Sequence, residues 1–143
     1  MVMQERRQSR ILAMQTLCQG DVQGALSDPD LIAYLIEVEA NLAIRNYAME
    51  LIRFVWSNQS IIDEEIAGSA PNWELGRISP VERNTMRVAA AELLLGEVPP
   101  AVSLNEAIEI AREYGGQDSP RFVNGVLNQV LEVLRPDARE SRS

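Results

Sequence analysis

Three arginines near the start of the chain are the first group whose type and spacing point to a chemistry. Arg6, Arg7 and Arg10 are three and four positions apart, so a helix places all three on one face. Like charges stacked in this way destabilise a helix slightly, and binding of an anion such as phosphate offsets that cost. The alternative is a solvated helix end, and the spacing alone fits both interpretations.

A glycine-containing loop further along the chain leads into a second helix start with similar potential. Backbone N–H groups at that start, together with Arg121, can receive phosphate oxygens, and Phe122 can stack on an unpaired base. Asp118 would oppose an anion there. The alternative is an ordinary capped helix in which Phe122 anchors the first turn to the core. The segment reads Gly115-Gly116-Gln117-Asp118-Ser119-Pro120-Arg121-Phe122.

The side chains most used in catalysis are missing from the sequence. It contains no histidine and all 13 basic residues are arginine, so the commonest general base, metal ligand and Schiff-base nucleophile are absent. Cys18, the only cysteine, falls in an apolar helical stripe and is predicted to be a buried structural thiol. Asp63, Glu64 and Glu65 resemble a metal site, but acidic residues in a first helical turn also suit the helix dipole. We therefore predict neither an enzyme nor a metal protein.

The net charge of −8 is distributed unevenly over the 143 residues. Residues 1–26 carry net +1, residues 27–76 carry net −7, and residues 77–143 carry net −2. The acidic middle would suit a basic partner, whereas the arginines at the start would suit RNA. No apolar run approaches the roughly 20 residues of a membrane-spanning helix, and the N-terminus lacks a signal-peptide pattern. These features predict a soluble, cytoplasmic protein.

Apolar residues recur at three- and four-residue spacing almost throughout the chain, which predicts an all-α fold. Two segments, Ser79-Pro80-Val81-Glu82 and Ser103-Leu104-Asn105-Glu106, have the sequence of a capping box, and each predicts a helix start. The predicted helices, about seven in number, cover roughly residues 4–24, 29–40, 41–57, 60–67, 80–95, 103–114 and 120–134.

The length predicts a single domain over residues 1–143, built from two small helical bundles packed side by side. The N-terminal bundle is expected over about residues 1–70 and the C-terminal bundle over about 77–135, with a loop over 68–76 between them. A polar tail over 136–143 is expected to be frayed.

Three segments carry patterns more specific than helical periodicity. The first is Arg6-Arg7-x-x-Arg10-x-x-Ala13-x-Gln15-x-Leu17, and the second runs from Ile78-Ser79-x-x-Glu82-Arg83 to Val98-Pro99. The third is Asn105-Glu106-Ala107-Ile108-Glu109-Ile110-Ala111-Arg112-x-Tyr114-Gly115, followed by Asp118-Ser119-x-x-Phe122-Val123-Asn124-Gly125-Val126-Leu127. Together, from about residue 5 to residue 134, the segments resemble the NusB family of transcription antitermination factors.

The resemblance implies an RNA-binding protein without catalytic activity. NusB proteins pair with NusE, a small-subunit ribosomal protein, and the two hold a boxA-like single-stranded RNA of ribosomal RNA operons against the elongating RNA polymerase. This activity supports antitermination and ribosomal RNA maturation. The alternative that we keep open is a helical interaction adaptor that uses the acidic middle to hold a basic partner and binds little RNA itself.

The resemblance also assigns roles to particular residues. It implies that Glu82 contacts NusE on a surface separate from the RNA. Two positions depart from the family pattern: Gln8 interrupts the arginine run, and Cys18 stands where an aromatic residue is often found. Loss of that ring predicts a weak affinity for RNA in the absence of NusE. The implied RNA contacts are Arg6, Arg7, Arg10, Cys18, Asp118, Arg121 and Phe122.

Overall fold

The structure is a computed structural model that describes residues 3–70 and 78–137. Over these residues it contains only helices and turns, which confirms the all-α prediction. None of the described helices is long and apolar enough to cross a membrane. The helices are α1 (Met3–Gln23), α2 (Asp28–Val38), α3 (Leu42–Ser57), α4 (Gln59–Ser69), α5 (Pro80–Leu95), α6 (Pro100–Tyr114) and α7 (Ser119–Leu134).

The first predicted capping box starts α5 as expected. The Ser79 hydroxyl accepts the backbone N–H of Glu82 at 3.2 Å, and Pro80 occupies the first helical position, where its missing N–H costs nothing. The helix ends at Gly96, whose φ of +72° lies in the left-handed region that glycine adopts without strain. Both ends of α5 are therefore set by local sequence.

The second predicted capping box is wrong. Helix α6 begins at Pro100, so Ser103 lies within the helix and is buried. The carboxylate of Glu106 bonds to arginine side chains of α1 and not to the backbone of Ser103. Pro100 at the first helical position is as good a start signal as Ser103. Glu106 binds the arginines of α1 and so is not free to cap the helix.

Helix α5 is the central helix and packs on α1, α3, α4, α6 and α7. Its middle, Ala89–Ala91, is buried, and these small side chains let the neighbouring helices approach closely. The first four and the last three helices share one hydrophobic cluster. The stripe predicted for α7 contributes to it, with Val123, Val126, Leu127 and Val130 buried and Leu134 partly buried.

Two of the sequence predictions fall partly outside the described residues. The loop predicted over 68–76 begins later than expected, because α4 continues through Gly68 to Ser69, and residues 71–77 are not described. Helix α7 ends at Leu134, as the following Arg135-Pro136 predicts. The tail predicted over 136–143 lies outside the described residues from position 138 onward.

Candidate nucleic-acid interface

Arg10 does not lie on an exposed face of α1. Its residue is 3% exposed, and its guanidinium donates from Nε to both carboxylate oxygens of Glu92 at 3.0 Å and from Nη1 to Glu106 at 3.2 Å. The helix face that carries Arg10 also carries Met14 and packs on α5, which supplies Glu92, while Glu106 reaches the guanidinium from α6. Arg10 thus holds three helices together, and the structure contradicts its expected role as a surface contact to phosphate.

Arg7 also binds a carboxylate but remains partly open to solvent. It donates to Glu106 from Nε at 3.0 Å and from Nη2 at 2.6 Å, and its side chain is 37% exposed. This two-point hydrogen bond lowers the pKa of the Glu106 carboxyl, because it stabilises the charged form more than partial burial disfavours it. The charge of Arg7 is therefore largely neutralised, although its outer edge can still meet an anion.

Arg6 is the third arginine and lies over an aromatic ring. Its guanidinium carbon is 3.9 Å from the ring centroid of Tyr47 in α3, a cation–π contact. The Tyr47 hydroxyl in turn donates to Glu92, and both burial and this hydrogen bond raise the pKa of the tyrosine. The contact holds the Arg6 side chain in place, and within the described part of the chain no ion pair joins it to a carboxylate, so Arg6 keeps its charge near the surface.

We call Arg7, Arg10, Tyr47, Glu92 and Glu106 the buried ion cluster. Its arginines were singled out from the sequence, but its tyrosine and its two glutamates were not. The two glutamates could have been found from the sequence as acidic residues on helix faces that are otherwise apolar, and both are buried in the structure. A carboxylate in such a position needs a cationic or hydrogen-bonding partner.

The second candidate surface is a cleft of about 350 Å³ at the N-terminal ends of α5 and α7. We call it the α5–α7 cleft. Phe122 supplies a partly buried ring, and Arg121 is exposed beside it. Asp118, the residue that precedes α7, is also exposed. The cleft brings together three residues that the sequence predicted for RNA contact. Its lining residues are Ile78, Glu82, Asp118, Arg121 and Phe122.

Glu82 lies in this same cleft, so the expectation that it occupies a surface separate from the RNA contacts is wrong. Its carboxylate accepts the hydroxyl of Ser79 at 2.9 Å and that of Ser119, the first residue of α7, at 2.7 Å. The Ser119 oxygen also accepts the backbone N–H of Gly116 at 3.0 Å. Glu82 thus ties the start of α7 to the start of α5, which holds the cleft in shape.

Cys18 lies next to the same end of α5. Its sulfur is 3.5 Å from the carbonyl oxygen of Pro80 and accepts a hydrogen bond from Asn84 at 3.4 Å. Burial raises the pKa of this half-buried thiol, which disfavours the reactive thiolate. The structure therefore brings Cys18 near the α5–α7 cleft. Arg7 and Arg6 lie eleven and twelve residues before Cys18 on α1, which places them about 17 Å from it along the helix axis.

Of the acidic residues considered for a metal, Asp63 is paired with an arginine. Asp63 accepts Nε of Arg87 at 2.7 Å and Nη2 at 2.8 Å, and Arg87 also binds Asp21 at 2.8 Å. Hydrogen bonds from Asn84 and Arg87 outweigh burial and lower the pKa of Asp21. Among the described residues no group of three histidine, cysteine, aspartate or glutamate side chains is placed to hold a metal ion. These contacts join α1, α4 and α5.

The chemistry that the α5–α7 cleft offers is suited to a base more than to a phosphate. Among the described residues that line it, two carboxylates and one arginine give the cleft a negative balance, which opposes a bound phosphate group. Carboxylates accept the exocyclic amino groups of bases, an aromatic ring stacks on an unpaired base, and Arg121 at the rim can contact the adjoining phosphate. The cleft therefore fits one unstacked base with its phosphate at the edge.

Comparison with known proteins places these features in context. The sequence pattern described as the NusB family matches residues 7–132. A protein of Trichlorobacter lovleyi named transcription antitermination protein NusB is 41% identical over 95% of this chain and 96% of its own length. A protein of the same name from Gloeothece citriformis is 38% identical over 76% of this chain, and the match covers 51% of that longer protein.

Solved structures with the same fold include two that we describe by their similarity to this chain. T. maritima NusB has a TM-score of 0.81 at 32% identity, with 94% of this chain and 96% of that chain covered. A chain in a crystal structure of antitermination factors NusB and NusE with double-stranded RNA has a TM-score of 0.78 over 92% of this chain and 99% of that one. Its identity is 24%, so this second likeness establishes the fold.

Proposed function

We propose that this chain, which belongs to the NusB family, is an RNA-binding transcription antitermination protein that acts together with NusE. The observation that carries the proposal is the family match over residues 7–132, which spans parts of all seven described helices. In this role the chain holds a boxA-type single-stranded RNA of ribosomal RNA operons for the antitermination complex of RNA polymerase in the cytoplasm. It catalyses no reaction.

The RNA interface in this proposal consists of the α5–α7 cleft and the exposed start of α1. The cleft holds one base on Phe122, with Asp118 accepting an amino group and Arg121 meeting a phosphate. Arg6 and the outer edge of Arg7 contact the backbone further along the strand. Arg10 has no part in it, because its charge is buried against two carboxylates.

The direct test is fluorescence anisotropy with a labelled boxA RNA, measured with and without NusE at several salt concentrations. Phe122→Ala is expected to weaken binding about five- to 150-fold, the equivalent of roughly 1–3 kcal/mol for one stacked base. Phe122→Leu is the matched control for packing, since it keeps an apolar side chain against the core but lacks a flat ring. Equal RNA affinity for the leucine variant and the unchanged protein would contradict stacking.

Arg121→Gln tests the phosphate contact at the rim of the cleft. The side chain is exposed, so we expect no change in stability beyond roughly 0.5 kcal/mol. The slope of log affinity against log salt should become shallower by about 0.7 for a single strand.

A duplex RNA of the same sequence tests the base site in the cleft, because that site requires an unpaired strand. Tighter binding of the duplex would refute that site.

Glu82 is proposed to face NusE as well as to brace the cleft. Glu82→Lys reverses the charge that a basic ribosomal protein would meet and disrupts the bonds to Ser79 and Ser119. Glu82→Gln keeps hydrogen bonding to both hydroxyls without the charge. NusE binding should fall much further in the lysine variant than in the glutamine variant, and equal NusE affinity for both folded variants would leave Glu82 as a brace only.

A second candidate function, an adaptor for a basic partner with little RNA binding of its own, is favoured by the buried ion cluster. Arg7 and Arg10 both bind Glu106, which leaves less positive charge on α1 than the sequence suggested. The same anisotropy experiment decides between the two. RNA binding that is undetectable even with NusE present supports the adaptor, whereas NusE-dependent binding that weakens with Phe122→Ala supports the RNA-binding function.

A further inference from the structure

Helix α2 carries apolar side chains that the other described residues leave exposed. Its 11 residues include Leu31, Ile32, Leu35, Ile36 and Val38, an apolar pattern on almost every side. Helices of this kind are normally enclosed by other elements. Here only Leu31 and Leu35 are buried, whereas Ile36 is 57% exposed.

A shallow groove of about 120 Å³ runs between α2 and α3 on this surface. Leu42, at the start of α3, forms part of its wall and is 61% exposed. Arg45 also lines it, but its guanidinium donates to the carbonyls of Glu39 and Ala40 at the end of α2. We call this surface the α2–α3 groove. Its lining residues are Ile32, Leu35, Ile36, Leu42, Arg45, Asn46 and Met49.

The segment that forms the groove is acidic. Residues 27–57, which include α2 and α3, contain five acidic residues and two basic residues, Arg45 and Arg53, a local net charge of −3. Asp28 is paired with Arg53, whereas Asp30 and Glu37 are exposed on α2, and we call these two carboxylates the acidic rim. An exposed apolar groove beside exposed carboxylates is complementary to an apolar segment that carries cationic side chains at its edges.

We propose that the α2–α3 groove docks a basic amphipathic segment of a protein partner. The apolar side chains of that segment cover Ile32, Ile36 and Leu42, and its lysines or arginines meet the acidic rim. A second copy of this chain is disfavoured, because pairing two such faces sets one net charge of −3 against another. RNA and anionic membranes carry the same sign as the rim and are disfavoured for the same reason. The proposal does not rest on the RNA-binding function, since α2 packs chiefly on α3 while the cleft belongs to α5 and α7.

The test uses two synthetic helical peptides and the full-length ¹⁵N-labelled protein. One peptide places leucines at three- and four-residue spacing with lysines between them, and the other replaces every lysine with glutamate. Amide shifts should concentrate in α2 and the first half of α3 when the lysine peptide is added. The glutamate peptide should bind at least about tenfold more weakly. Shifts centred outside α2 and α3 would overturn the proposal.

Two substitutions in the protein distinguish binding in the groove from non-specific binding to exposed apolar side chains. Ile36→Ser should weaken the lysine peptide about tenfold, and the fold should be unaffected because this side chain lies on the surface. Val133→Ser is the matched control, since Val133 is 58% exposed on α7, and it should leave affinity unchanged. Equal affinity for both variants would refute the groove as the site.

Sedimentation velocity tests whether a second copy of this chain occupies the α2–α3 groove. The unlabelled protein is expected to remain at the same oligomeric state over the concentration range of the titration, and Ile36→Ser should not alter it. Concentration-dependent association that is lost in Ile36→Ser would assign the groove to a second copy of the chain and overturn the proposal. Binding of boxA RNA by Ile36→Ser should match that of the unchanged protein, which keeps the two surfaces independent.

Discussion

Substitution of Arg10 by methionine should destabilise the protein severely and leave the salt dependence of RNA binding unchanged. A surface arginine that contacts phosphate would do the opposite. Methionine fills much of the same volume, so the change removes the charge and its hydrogen bonds without opening a large cavity. The variant therefore separates the structural role of Arg10 from the RNA contact that its sequence position suggests.

The magnitude follows from what Arg10 leaves behind. The side chains of Arg10 and Glu92 are 4% and 1% exposed, and Arg10 makes two hydrogen bonds to Glu92 and one to Glu106. Glu106 keeps Arg7 when Arg10 is removed, whereas Glu92 keeps only the hydroxyl of Tyr47. Breaking a buried ion pair from one side typically costs about 3–5 kcal/mol. Against a total stability of roughly 5–15 kcal/mol, this is about a fifth of it or more.

Urea unfolding followed by far-ultraviolet circular dichroism measures the loss, with Arg121→Met as an exposed control that should stay within roughly 0.5 kcal/mol. Adding Glu92→Gln to Arg10→Met removes the stranded charge and should recover at least about 1 kcal/mol. A loss below about 1 kcal/mol for Arg10→Met, or no recovery in the double variant, would refute the buried ion cluster. A shallower dependence of RNA affinity on salt in the folded Arg10→Met variant would show that Arg10 contacts RNA phosphate after all.

Three further predictions concern pH, a glycine and a buried hydroxyl. The hydrogen bond from Arg7 lowers the pKa of Glu106 in the folded state. The contribution of this carboxylate to folding stability is therefore complete above its unfolded pKa of about 4.3 and is lost as pH falls through the lower folded value. Arg7→Gln should flatten the fall in unfolding free energy between about pH 5 and pH 3. Gly115→Ala should cost about 1–3 kcal/mol in thermal unfolding, because a Cβ would lie 2.6 Å from the Ser119 oxygen, and an unchanged melting temperature would contradict that close approach. Ser103→Ala should be neutral or stabilising by up to about 1 kcal/mol in urea, since among the described residues its buried hydroxyl has no hydrogen-bond partner; a clear loss would show that it has one.

Helical periodicity and cap residues were sufficient to predict most of the fold. The three- and four-residue spacing identified the buried stripe of α7, and Ser79 with Pro80 identified the start of α5. The start of α6 was misplaced because Pro99-Pro100 and Ser103 are both plausible start signals within a few residues. Local sequence alone does not rank two such signals when the competing cap residue can be buried by a neighbouring helix.

The candidate site was predictable in part. Asp118, Arg121 and Phe122 are close in sequence at one helix start, so any fold with that helix keeps them together. The position of Glu82 in the same cleft depends on how α5 meets α7, and short-range patterns contain no information about that contact. Its separation from the residues predicted for RNA contact was therefore an unsupported expectation, and the hydrogen bond to Ser119 shows that Glu82 is adjacent to the start of α7.

The sequence by itself determined the helices, the apolar face of each and the family to which the chain belongs, because these depend on residue types at short, regular spacing. Only the tertiary structure decided what the charged residues do. Arg6, Arg7 and Arg10 share a helix face in any helix, but their partners come from α3, α5 and α6, up to 99 residues away along the chain. Electrostatic and hydrogen-bond energies depend on distance and burial in space, so the fold turned an apparent phosphate-binding arginine into a buried structural one.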